Sequence, residues 1–203
     1  MAIRNDREYR SMMILRKKPE EREEGKCNVT GYASTFDEYE LFNFDGVSYC
    51  ERIEPTAFDD ADLSDVIFLY NHEGMVYARQ KNGTLKVSVD DKGLFTEADL
   101  SSTEESRKLF EAIDKGLIDQ MSFAFTVADD YYIDEREKTT RVIRSIGKVY
   151  DVSAVSIPAN SFTNIGVDAR ALFDGAIEKR KAERLEHEKA LALAKAKFNF
   201  EEV

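Results

Sequence analysis

The stretch QMSFAFTV, residues 120–127, alternates small residues with large apolar ones at a period of two. Successive side chains of a β-strand leave opposite faces of a sheet. Ser122, Ala124 and Thr126 therefore share one face, and Phe123, Phe125 and Val127 share the other. The run RVIRSIGKVYDVSAVSIPAN, 141–160, is equally rich in β-branched residues and ends around Pro158. These two stretches set the chain in the β class.

Outward from them the pattern repeats in shorter pieces. SMMIL (11–15), NVTGYASTF from Asn28 and VIFLYNH (66–72) read as strands. DEYELFNFDGVSYCERI predicts a hairpin turning at Asp45-Gly46. LKVSVD and LFTEADL predict a second, turning at Asp91–Gly93, and NGT at 82–84 marks another turn. IEPTAFDDADLSDV reads as a short helix with Pro55 in its first turn. SSTEESRKLFEAIDKGLID is the one strong internal helix. Ser102 or Thr103 can cap it, Leu109, Phe110 and Ile113 form its apolar stripe, and Gly116 can end it. The polar segments RKKPEEREEGK (16–26) and ADDYYIDEREKTT (128–140) read as a loop or mobile arm and as a loop or hairpin tip. Residues 170–203 have helix-favouring composition. Only Ala182 and Leu185 are apolar between Glu178 and Lys189, so this helix is expected to be exposed. Many short strands around one internal helix predict a mostly β, α+β fold: a closed or nearly closed barrel with flanking helices.

The chain has 203 residues and 42% hydrophobic content, enough for one domain with a real core. Its formal net charge is −11, and the acidic excess lies between the two charge-balanced ends. Such a body repels nucleic acid and anionic membranes, so a basic or neutral protein is the expected partner. No apolar run approaches a membrane span, and MAIRNDREYR lacks the apolar core of a signal peptide. Cys27 and Cys50 are expected to be free thiols in a reducing compartment. With two His and two separated Cys, no zinc site is expected, and no cofactor.

The candidates for chemistry are few. His187 lies among glutamates in the charged tail and is expected to be solvated. His72 ends an apolar strand, where it could be structural or catalytic. Ser122 could be a small strand residue, or a nucleophile delivered by the helix before it. Asp151, inside a β-rich run, must be paired, either with Arg141, Arg144 or Lys148 or with an imidazole N–H. A hydroxyl, an imidazole and a carboxylate on three strands can make a nucleophilic triad. Its chain order here would be His, Ser, Asp, and no GxSxG elbow is present.

Several of these stretches, in this order, resemble the prohead (procapsid) maturation proteases of tailed phages, relatives of herpesvirus assemblin. They are NVTGYASTFDEY, ERIEPTAFDDA, LYNHEGM, DQMSFAF and KVYDVSAVSIPAN, together covering roughly 28–170. The resemblance implies an assemblin-like closed β-barrel surrounded by helices, with a protease domain at 28–170. Residues 1–27 would be an N-terminal strand and charged arm, and 171–203 a charged helical tail. It implies a serine endopeptidase with His72 as base, Ser122 as nucleophile and Asp151 as third member. The family commonly has Glu at that third position; Asp is one methylene shorter and needs a closer backbone. Where the family often has Gly after the nucleophile, this chain has Phe123-Ala124-Phe125. The oxyanion candidates are backbone N–H groups such as that of Phe123, with Arg141 or Arg144. By resemblance the enzyme would act in the host cytoplasm, inside the assembling procapsid. It would cut scaffold or the delta segment of the major capsid protein, and itself, and copies of it could associate. A catalytically inactive assembly or scaffolding protein of the same fold is the alternative.

Overall fold

The structure is a computed structural model that describes residues 7–13, 27–156 and 166–201. The expected arm at 16–26 and the end of the β-rich run at Pro158 lie outside the described residues. Ten strands and two helices are described: β1 (Glu8–Met13), β2 (Asn28–Thr35), β3 (Tyr39–Phe44), β4 (Val47–Ile53), β5 (Ile67–Tyr70), β6 (Glu73–Arg79), β7 (Leu85–Val89), β8 (Gly93–Asp99), α1 (Glu104–Asp114), β9 (Gln120–Asp134), β10 (Lys138–Val155) and α2 (Gly166–Glu201). The described residues are mostly β with two helices, as the strand pattern predicts.

The long β9–β10 hairpin is the axis of the fold. β10 pairs antiparallel with β9 over nearly its whole length. On its other edge it pairs in parallel with β4 near its start and with β5 near its end. β1 completes this sheet beside β9, β3 beside β4 and β6 beside β5. The second sheet is β2-β8-β7. Among the described residues neither sheet closes on itself by strand pairing, so the expected closed barrel is not found. The register of β9 against β10 shifts at several points between Ile143 and Asp151. Such bulges bend a hairpin and break the alternation of faces locally.

Segment 128–140, expected as a loop or hairpin tip, is the tip of the β9–β10 hairpin and mostly strand. β9 runs to Asp134, and only residues 135–137 turn the chain. Its acids are tolerated because arginines face them: Asp130 with Arg141 at 2.6 Å and Asp129 with Arg144 at 2.5 Å. Tyr131 and Tyr132 supply β propensity, and both hydroxyls find acceptors, Glu54 Oε1 and the Leu172 carbonyl.

Local chemistry explains the remaining joints. Asp45 and Gly46 have φ of 55° and 76°, the two left-handed positions of a tight hairpin turn. Gly93 has no room for a side chain, since a Cβ there would meet the Ser34 carbonyl oxygen at 2.1 Å. Thr103 caps α1 by accepting from the Ser106 N–H at 3.0 Å. The Leu117 N–H closes the other end on the Ala112 carbonyl at 2.9 Å, with Gly116 as the left-handed residue. The predicted short helix near Pro55 is a single 3₁₀ turn, Pro55–Phe58.

The main core brings Phe123 and Phe125 of β9 together with Phe68, Leu94, Ile143, Ile146 and the buried Leu109 and Ile113 of α1. The Phe-bearing face of 120–127 is thus the core face. Cys50 is buried and Cys27 partly so; both are free, and burial pushes both thiols up. The long helix α2 buries more than its charged middle suggests. Phe173 and Ile177 pack with Tyr49 in a second apolar cluster, and Arg180 donates to the Arg136 and Lys138 carbonyls. Over residues 181–193 α2 is exposed as expected, including Leu185 and His187.

Candidate active site

Ser122 sits mid-sheet, where β9 is paired on both sides. Its register partners are Ser11 of β1 and Ser153 of β10. Asp151 lies beside it on β10, opposite Ala124 of β9 and Ile67 of β5. The small-residue face of 120–127 therefore looks onto Asp151 and Ser153.

His72 arrives from the β5–β6 turn. Tyr70 pairs with Glu73 across a two-residue turn whose central residues are Asn71, φ 53°, and His72, φ 61°. A left-handed backbone costs a non-glycine residue roughly 1–2 kcal/mol. Asn tolerates it best; His at the second position is strained. The surroundings hold the turn in place. The Asn71 N–H donates to the Ala154 carbonyl at 2.9 Å, and its Oδ1 accepts from the Ser156 N–H at 3.0 Å. The ring of Tyr9 meets the imidazole edge-on, 4.6 Å between centroids.

The three side chains that the sequence singled out converge. His72 Nδ1 lies 2.7 Å from Asp151 Oδ1, and His72 Nε2 lies 2.7 Å from Ser122 Oγ. Ser122 is 0% and Asp151 2% exposed, while the His72 side chain keeps 16%. An ionised carboxylate can only accept, which puts the imidazole proton on Nδ1 and leaves the Nε2 lone pair facing Ser122. Such an arrangement can generate an alkoxide-like nucleophile. The shorter Asp reaches the ring because β5 pairs directly with β10 and the tight turn folds His72 back over it.

Arg141 and Arg144 are engaged with other carboxylates. Arg141 precedes Asp151 on β10 by a stretch of about 30 Å at strand rise. It is completely buried, bound to Glu8 at 2.5 Å, Glu51 at 2.9 Å and Asp130 at 2.6 Å. Arg144 is an exposed partner of Asp129. Phe123 stands in register with Arg10 on one side and Val152 on the other, so its backbone faces partner strands. Lys148, once a rival partner for Asp151, binds Asp62 at 2.7 Å.

Sequence reasoning passed over Ser153, Asn71 and Tyr9. Ser153 was findable: two residues after Asp151, it must share that face of β10. Asn71 was findable as the residue best suited to a left-handed turn before His72. Tyr9 was not, because only the β1–β9 pairing brings it near. Among the described residues no group of three or more His, Cys, Asp or Glu could hold a metal ion, and no helix is long and apolar enough to cross a membrane.

No curated protein and no solved structure matches the chain. A family model does: that of the caudovirus prohead serine proteases, over residues 14–176. The matched span holds His72, Ser122 and Asp151 together with the whole β9–β10 hairpin. By this match over most of its length, the chain belongs to the caudovirus prohead serine protease family.

Proposed function

We propose that this chain is the endopeptidase of an assembling phage shell, with Ser122 as nucleophile, His72 as general base and Asp151 as the group that orients His72. The observation that carries the reading is the single imidazole bridging a buried hydroxyl and a buried carboxylate, 2.7 Å from each. The Ser122 Oγ attacks the scissile carbonyl carbon while its proton passes to Nε2. The imidazolium, stabilised by Asp151, returns that proton to the leaving amine as the C–N bond breaks. Water then attacks the Ser122 ester, giving its proton to Nε2, and the acid product leaves with Ser122 restored.

The substrates we assign are the proteins that share the procapsid interior: scaffold or the delta segment of the major capsid protein, and the chain itself. The acidic body supports protein rather than nucleic acid as partner.

The test is coexpression with the major capsid protein, for wild type and Ser122→Ala, followed by intact masses of both chains. Discrete truncations are expected in wild type and none in Ser122→Ala. Full-length masses in both, with shells still assembling, would replace the protease by an inactive assembly factor.

A further inference from the structure

We infer that Ser153 is a positioning residue of this site, holding Asp151 so that His72 keeps the tautomer catalysis needs. The inference rests on the roles proposed above for Ser122, His72 and Asp151. Ser153 stands directly across the β9–β10 ladder from Ser122 and is completely buried. Its Oγ lies 2.7 Å from Asp151 Oδ1 and 3.2 Å from His72 Nδ1. The same carboxylate oxygen takes the imidazole contact.

A serine hydroxyl has one proton to give. Given to a carboxylate, it makes a charge-assisted bond, stronger than one to a neutral ring nitrogen. The Ser153 proton is therefore committed to Asp151, and its oxygen turns only lone pairs toward Nδ1. Both groups facing Nδ1 are then acceptors, so the proton cannot leave Nδ1 for Nε2 without stranding them. That keeps the Nε2 lone pair free for the Ser122 proton. The hydroxyl also pins the Asp151 carboxyl group, whose short side chain must meet the ring at one angle. Ser153 touches no reacting atom in this scheme and acts through Asp151.

A fluorophosphonate probe tests this without knowledge of the natural substrate. It forms a phosphorus–oxygen bond with an activated serine and expels fluoride, and peptide mapping identifies the serine. Wild type is expected to label at Ser122, and Ser122→Ala not to label there. Ser153→Ala and Ser153→Cys should lower the maximal labelling rate about tenfold, with the half-saturating probe concentration unchanged and both variants folded at the assay temperature. In an Asp151→Ala background, Ser153→Ala should change the rate less than twofold, because the carboxylate it works through is gone.

A wild-type rate in Ser153→Ala, with Ser122→Ala unlabelled, would overturn this inference and leave the proposed function standing. So would an undiminished tenfold loss in the Asp151→Ala background, which would make Ser153 a packing residue. Absence of wild-type labelling at Ser122 would overturn the proposed function, and this inference with it.

Discussion

At the scale of single residues, the proposed chemistry requires Asp151 to be a carboxylate and not merely polar. An amide at that position can donate to Nδ1 and stabilise the wrong tautomer, with geometry intact. Asp151→Asn is therefore expected to cut the cleavage rate by about 10³–10⁴-fold at unchanged thermal stability. A mild loss, read from timed masses of a coexpressed capsid protein, would leave a Ser122–His72 dyad and retire Asp151 from the mechanism. The residue types were legible in the sequence, since one histidine outside the charged tail and one acid in an apolar strand are conspicuous. The backbone of His72 was not. Its φ of 61° comes from a turn whose register only the β5–β6 pairing defines.

At the scale of elements, joints carry separable energies. The turn at Asp45-Gly46 needs a left-handed residue, and a Cβ on Gly46 would meet nothing within 4 Å. Gly46→Ala should thus show conformational cost alone, about 1 kcal/mol, measured by urea denaturation. A cost near zero would mean the turn relaxes. The helix α2 docks through one aromatic nest. The Phe173 ring is edge-on to those of Phe42, Tyr49 and Tyr132, with centroids 5.2–5.7 Å away. Phe173→Ala should remove about 3–5 kcal/mol of that packing. Trypsin should then cut α2 early while the β body stays resistant; an unchanged digestion pattern would refute a docking role. Composition foretold a helix there, yet not its anchorage, because Phe173 and Ile177 lie just before the charged middle.

At the scale of the whole molecule, a buried charge cluster fastens β1 to the sheet that bears the site. Glu51 is completely buried and binds Arg10 at 2.5 Å, Arg141 at 2.9 Å and the Tyr39 hydroxyl at 2.5 Å. Burial alone would raise its carboxyl; Arg10 and Arg141 outweigh that and hold it below the usual range. A depressed folded value stabilises the fold above the unfolded value, about pH 4.3. That contribution is lost as pH falls through the folded value. Glu51→Gln leaves two buried guanidinium groups short of a partner. It should cost about 3–5 kcal/mol at neutral pH and flatten the loss of stability below that point, as followed by denaturation at stepped pH. Equal slopes for both proteins would remove Glu51 from the acid response. The mostly β class came from the sequence alone, because period-two alternation, turn pairs such as Asp45-Gly46 and a Ser102 or Thr103 cap are local preferences of a few neighbouring residues. The candidates Ser122, His72 and Asp151 came from there too, once their stretches were compared with a family. Tertiary structure decided what local preference cannot carry. It chose β5 rather than β4 as the neighbour of Asp151, gave Arg141 to the carboxylates of β1 and β4, and set Ser153 in contact with the imidazole. Strand order and bulge placement are non-local, set by which faces bury one another across the sheet, and a linear pattern does not record them.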